Sequence, residues 1–265
     1  MCRLFLANRK AVLDMHKLLK NLPAKNYATL YLNGSRFTRE TYPQGIEDLL
    51  FDLEVSFGGH GNGLVLLKDK QIVTYKKGID FSVEESANLM LTLDYDWAIW
   101  HTRLASAGKQ NDANCHPFVH VDDDGNILVW AMNGTEMSTV KIAAMLGDIT
   151  DTEVCGLMVA KLGLPIPEGF KAWHSVFVGV YNDIPFAFKG TGDLCKWLPD
   201  KDTVLFASEL PTGIGSVCSY DYSWINGVET EIKRVHSYAN NVGYGYGFDE
   251  DGIWDSYSTG YPYKY

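Results

Sequence analysis

The chain is short of basic clusters, of long apolar runs and of paired cysteines, and each absence excludes a class of function. Of its 265 residues 23 are Lys or Arg and 33 are Asp or Glu, a net charge of −10. The densest basic run, Lys68-Asp69-Lys70 with Lys76-Lys77, reads as solvated strand ends around a hairpin. Gripping nucleic acid through its phosphates needs clustered Lys and Arg, so no nucleic-acid partner is expected. No apolar run approaches the roughly 20 residues that span a bilayer. At the start, only three or four apolar residues separate Arg3 from Arg9-Lys10, too few for a secretory leader. No membrane partner is expected, and the expected location is the cytoplasm. The five cysteines (Cys2, Cys115, Cys155, Cys195, Cys218) are odd in number and none forms C-x-x-C. Neither a zinc ribbon nor a disulfide framework is indicated. The rest of the composition, 46% hydrophobic and 21% charged, is that of a folded globular chain.

Hydrophobic periodicity organises what is there. Residues 2–6 read as a short apolar strand. Residues 11–22 have helical spacing, with Val12, Met15, Leu18, Leu19 and Leu22 on one side. Residues 47–57 are mixed in pattern and break into Gly58-Gly59-His60-Gly61-Asn62-Gly63, which reads as a tight turn. A hairpin is expected over 64–67 and 71–75, and a helix over 82–93 with Ser82 and Glu85 as a capping box. A strand follows at 97–102, a second hairpin at 119–121 and 127–132, and short helices at 139–145 and 152–162. The last helix is expected to be capped by Thr150 or Asp151. Later strands are expected at 175–181, 185–189 and 204–208. Strands thus arrive in antiparallel runs with helices between the runs, which predicts sheets packed together with helices outside. One domain is expected over 2–239. The Gly/Tyr-rich stretch 240–265 is expected to be a surface extension.

The chemistry begins at Cys2. A small residue behind the initiator predicts removal of Met1, which leaves a thiol and a free α-amine on one residue. An amine with a reference pKa near 8 can serve as the base for a thiol nucleophile. Three later segments carry polar groups that packing alone does not require. Trp100-His101-Thr102-Arg103 ends a strand on an Arg suited to a bidentate grip on a carboxylate, and Ser106 and Gly108 follow. Asn114-Cys115-His116-Pro117-Phe118 closes the next loop. Met132-Asn133-Gly134-Thr135 ends another strand, where a side-chain amide and a Gly N–H can aim two donors at one oxygen. A plain turn is the commoner use of Asn-Gly. A fourth segment, Thr150-Asp151-Thr152-Glu153, opens a helix, where simple N-capping is the plain reading.

Taken in order, Met-Cys, the Gly-rich turn, His-Thr-Arg-x-Ala-Ser-x-Gly, Asn-x-His-Pro-Phe, Asn-Gly and Thr-Asp-Thr-Glu-Val resemble the class II glutamine amidotransferases. These belong to the N-terminal nucleophile hydrolases. The resemblance runs over roughly residues 2 to 210, where Phe206-Ala207-Ser208-Glu209 is its last segment. It implies an α+β fold, a four-layer αββα sandwich of the N-terminal nucleophile hydrolase type. It also implies residue roles. Cys2 is the nucleophile with its own amine as base, and Asn133 and Gly134 form the oxyanion pair. Arg103 takes the α-carboxylate of glutamine and Asp151 its α-ammonium. Ser106 and His116 line the glutamine pocket. The implied reaction cleaves the γ-amide of glutamine to glutamate and ammonia through a γ-glutamyl thioester, with no cofactor and no metal.

The chain departs from the pattern at Leu104, where an aromatic is usual, at Met132, where His is common, and at Ser106, where Thr is usual. Some 55 residues follow Glu209, too few for an attached synthase domain. Either a separate synthase subunit uses the ammonia, or another γ-glutamyl amide is simply hydrolysed. A catalytically silent glutamine-sensing subunit is the reading from a different class. Asp122-Asp123-Asp124-Gly125-Asn126 lacks the spacing of a calcium loop and reads as a hairpin turn. His60 is expected to border the site, and the other cysteines are expected to be small buried hydrophobes.

Overall fold

The computed structural model describes residues 2–22, 28–32, 35–39, 44–106, 108–161, 168–232, 247–248 and 254–255. The chain divides into residues 1–232 and 233–265. In chain order the first unit contains β1 (Arg3–Asn8), α1 (Arg9–Asn21), β2 (Ala28–Leu32), β3 (Ser35–Arg39), α2 (Ile46–Phe57), β4 (Asn62–Lys68), β5 (Gln71–Gly78), α3 (Val83–Thr92) and β6 (Trp97–Thr102). Then come β7 (Phe118–Val121), β8 (Ile127–Asn133), α4 (Met137–Leu146), α5 (Asp151–Lys161), β9 (Val176–Tyr181) and β10 (Ile184–Phe188). It closes with β11 (Cys195–Trp197), β12 (Leu205–Ala207), β13 (Ser216–Val217), β14 (Tyr222–Ile225) and β15 (Val228–Glu231). In the second unit Gly247–Phe248 pairs with Trp254–Asp255. The remainder of the Gly/Tyr-rich stretch lies outside the described residues.

Local chemistry sets the helix ends. Asn8 Oδ1 accepts from Ala11 N at 3.0 Å and starts α1, which buries Ala11, Val12, Met15 and Leu19. Ser82 Oγ accepts from Glu85 N at 3.0 Å, the Ser half of the capping box. Thr150 Oγ1 accepts from Glu153 N at 3.0 Å, so Thr150 is the cap and Asp151 falls inside the first turn of α5. The mixed segment after residue 46 is a full helix, α2. It buries Ile46, Leu49, Leu50 and Leu53, an i, i+3, i+4, i+7 stripe, although Gly45 offers no side-chain cap.

Two antiparallel sheets carry the fold. One has seven strands in the order β13-β11-β12-β1-β6-β4-β5, the other six in the order β15-β14-β10-β9-β8-β7. Both faces of the central strands are buried, and successive residues feed different cores because side chains alternate across a strand. In β1, Phe5 and Ala7 join the core beneath α1, α2 and α3, while Leu4 and Leu6 join the core between the sheets. In β8, Val129 and Ala131 enter the inter-sheet core, while Leu128, Trp130 and Met132 enter a third core with Cys155 and Val159 of α5 and Phe170. Three stacked cores require four layers, helices–sheet–sheet–helices. That is the αββα sandwich.

The same pairing gathers the ends that matter. β1 sits between β12 and β6, with Arg3 opposite Thr102. Thr102 is also opposite Asn62 at the start of β4. The first residue of β1 and the last of β6 therefore meet at one end of the strands of the first sheet.

Candidate active site

Cys2 lies just ahead of β1 and is 6% exposed. Its position is held on several sides. Leu4 N donates to Ser208 Oγ and Ser208 N to Leu4 O, both at 3.0 Å. Arg3 is buried, donates from Nε to Ser56 Oγ at 3.0 Å, pairs with Asp193 and Glu209, and stacks 4.5 Å from the Phe57 ring. Cys2 N donates to Asn133 Oδ1 at 3.0 Å. The thiol donates to Leu104 O at 3.4 Å, and Leu104 N lies 3.3 Å from Sγ. Burial pushes the Cys2 thiol pKa up, and the Leu104 hydrogen bond only partly offsets it. The resting thiol is protonated and needs a base.

Asn133 ends β8 and is 1% exposed. The Cys2 N–H donates to the side-chain oxygen, so Oδ1 is the end of the amide turned toward Cys2. Among the described residues, buried Nδ2 then has no hydrogen-bond partner. An unpaired buried donor costs about 1–3 kcal/mol, and such a group in a site asks for a ligand. Gly134 follows at φ +143°, where a Cβ would stand 2.3 Å from Ser175 Oγ. Only glycine fits that approach.

Arg103 and Asp151 supply charge of opposite sign, both almost fully buried. The Arg103 main chain is tied to the Gly-rich turn: Arg103 N donates to Gly61 O at 2.8 Å and His60 N to Arg103 O at 2.9 Å. Its Nη1 donates to Lys109 O at 2.8 Å. Burial lowers its pKa from the ordinary value, and Cys2, Cys115 and Asp151 offset this electrostatically. Asp151 Oδ2 accepts from Glu136 N at 2.8 Å. Burial raises its pKa, against the pull of backbone hydrogen bonds from Glu136 and Thr152. Among the described residues no salt bridge engages Asp151.

The remaining expected residues fall around this centre. Ser106 is exposed, and its hydroxyl lies 2.8 Å from Thr135 Oγ1, which links the loop after β6 to the loop after β8. His116 is 3% exposed and packs on His101, with ring centroids 4.1 Å apart. His101 Nε2 lies 3.0 Å from Met132 O and 3.1 Å from His116 Nδ1. A carbonyl only accepts, so that His101 nitrogen carries the proton. Burial holds His101 at a pKa of about 3 and His116 well below the usual range. The neutral pair buttresses the strand one residue before Asn133. His60 Nδ1 accepts from Ala105 N at 3.0 Å and steadies the Arg103 loop. Two contributors have no sequence signature: the Leu104 peptide group, which acts through backbone atoms, and Glu136, whose partners lie far along the chain. Among the described residues no group of acidic, His and Cys side chains could hold a metal ion, and no helix is long and apolar enough to cross a membrane.

No family model and no curated protein sequence matches the chain. Among solved structures it is similar to the allosteric regulatory enzyme of purine biosynthesis, with a TM-score of 0.55 and 16% identity over 85% of this chain and 46% of that one. It is also similar to the glutamine phosphoribosylpyrophosphate amidotransferase of B. subtilis in complex with ADP and GMP. That match has a TM-score of 0.49 and 18% identity over 63% of this chain and 41% of that one. The chain spans less than half the length of either structure. At such identity the first likeness is one of fold alone.

Proposed function

We propose that the protein is a glutamine amidotransferase-type enzyme of the N-terminal nucleophile hydrolase kind and cleaves the γ-amide of glutamine, with Cys2 as nucleophile and, once Met1 is removed, the Cys2 α-amine as base. The observation that carries this reading is Asn133. It holds Cys2 N with one end of its amide and presents an unpaired buried donor at the other. Donors fixed in advance at a water-poor site are the device that stabilises a tetrahedral oxyanion.

The steps follow from the groups present. Arg103 grips the α-carboxylate and Asp151 the α-ammonium, which favours a free amino acid over a peptide. The amine takes the thiol proton, and Sγ attacks the amide carbon. The oxyanion that forms is met by Asn133 Nδ2 and Gly134 N–H. The ammonium formed at the N-terminus returns its proton to the departing nitrogen, the C–N bond breaks, and ammonia leaves. Water, deprotonated by the amine, attacks the γ-glutamyl thioester. The C–S bond breaks, the thiolate recovers a proton, and glutamate departs.

Ammonia would pass to a separate acceptor enzyme. A second reading rests on the placement of Arg103 and Asp151. Both read the α-carbon end of the substrate, so other γ-glutamyl amides fit the same grip. The test is ammonia and glutamate release from L-glutamine by wild type and Cys2→Ala, with hydroxylamine trapping of the thioester and intact-mass analysis of the N-terminus. Wild-type turnover with Met1 absent is expected, and none in Cys2→Ala. Turnover unchanged in Cys2→Ala refutes the assignment. Glutamate release from γ-glutamyl conjugates without ammonia from glutamine favours the second reading.

A further inference from the structure

Glu136 has no part in the chemistry above, yet it bonds both to Asp151 and to the segment that packs against Gly134. It stands at the N-cap of α4 but makes no side-chain cap. It is 6% exposed. Its carboxylate turns instead to the chain ahead of β9, where Oε1 accepts from His174 N at 2.8 Å and from Ser175 N at 2.6 Å. Ser175 Oγ is the atom that a Cβ on Gly134 would strike, so this clamp fixes the residue that packs against Gly134. The Glu136 main chain works in the opposite direction, since its N–H fixes Asp151 Oδ2 at 2.8 Å. One residue therefore braces the oxyanion side and the charged end of the site together.

The arrangement also places two carboxylates close together in a buried region. The Glu136 charge adds to the burial that already raises the Asp151 pKa. Among the described residues neither carboxylate is in a salt bridge, and Arg103 and Asp151 act on each other electrostatically. Neighbouring buried anions without a cation are unfavourable unless a ligand supplies one. The Glu136 N–H holds Oδ2 of Asp151, and the Thr152 N–H also bonds to the carboxylate, so its orientation is fixed by main chain.

We infer that Glu136 is a positioning residue that makes the site select substrates with a free α-ammonium, by orienting Asp151 and adding a second negative charge behind it. The inference rests on the glutamine reading above for which substrate end occupies this region. Glu136→Gln keeps an acceptor for His174 and Ser175 and removes the charge. A unit charge several ångströms away in a partly screened interior changes ammonium binding by about tenfold. KM for L-glutamine is therefore expected to rise about tenfold in Glu136→Gln with kcat little changed. For glutaramic acid, which has the same amide and carboxylate but no α-amine, kcat/KM should be unaffected. Glu136→Asp keeps the charge and loses the reach to residues 174–175, so it should keep the preference for glutamine and lower kcat.

Calorimetric titration of both ligands into the Cys2→Ala protein, with and without Glu136→Gln, reads the same discrimination without turnover. A tenfold loss of preference for glutamine over glutaramic acid supports the inference. Equal weakening of both ligands, or no change in either, overturns it. Intact discrimination in a protein that never turns over glutamine refutes the chemical reading alone.

Discussion

Asn133→Ala is the most discriminating single change, because the two ends of one amide have separable consequences. Truncation removes the Nδ2 donor and the Oδ1 acceptor of Cys2 N together. Loss of one oxyanion donor lowers kcat by about 10² to 10³, or ~2.7–4 kcal/mol of transition-state stabilisation. Stability responds much less. The substitution eliminates an unpaired buried donor, which is favourable by about 1–3 kcal/mol, and strands Cys2 N, which costs a similar amount. The net is expected to lie within about 1 kcal/mol, or roughly 2–4 °C in Tm for a chain of this size. Asn133→Asp sharpens the contrast. It keeps an acceptor for Cys2 N but sets an anion where the oxyanion forms, so its kcat should fall at least as far as that of the Ala variant. Steady-state ammonia release and thermal melts on the same preparations give both numbers. A kcat within about threefold of wild type in Asn133→Ala would falsify the oxyanion role. A fall in kcat matched by a large fall in Tm would reduce Asn133 to a structural residue.

Two further outcomes follow from the geometry. Gly134→Ala sets a Cβ 2.3 Å from Ser175 Oγ at φ +143°; backbone strain alone is worth about 1–3 kcal/mol, so urea denaturation should show a loss of at least that size, and an unchanged midpoint would mean that the loop has another conformation. The second concerns acid. Burial holds His101 at about 3 and His120 at about 4, whereas the unfolded chain protonates them near 6.5, so the unfolded state binds more protons between those values. Stability is indifferent to these groups above pH 6.5 and falls as pH drops below it. At pH 5 His101 alone removes about 2 kcal/mol. Denaturant titrations at pH 7 and pH 5 should show that loss, reduced in His101→Gln, and equal stabilities would contradict the buried neutral pair.

Much of the fold was legible because the strands that matter are buried on both faces. Trp97–Thr102 reads as an apolar run, and the structure places that strand over the same residues. The helix over Val83–Thr92 was legible through Ser82 and Glu85, whose contact is observed. What stayed hidden had no local signature. α2 lacks a capping side chain and ends in a glycine run, so its stripe looked mixed. β13 is two residues long with both exposed, and β15 is exposed throughout, so neither carries a hydrophobic alternation to detect. At the site, Arg103, Asn133 and Asp151 could be singled out by residue type at element ends. Glu136 could not, because its partners His174 and Ser175 lie 38 and 39 residues away and offer only backbone N–H groups. A residue that acts on main chain leaves no pattern in side chains.

The position of β1 bears on how the protein is made. Its neighbours are β6 and β12, and the pairing of Phe5 with Ala207 joins segments separated by about two hundred positions. Synthesis runs from the N-terminus, and loop-closure entropy must be met before so distant a pairing can form. The Ser208 bonds that fix Leu4, and the Glu209 partner of Arg3, do not exist until that stretch has left the ribosome. The thiol that comes first in the chain is thus among the last groups to be fixed in place. A growing chain carries Cys2 without its surroundings until the sheet closes around it.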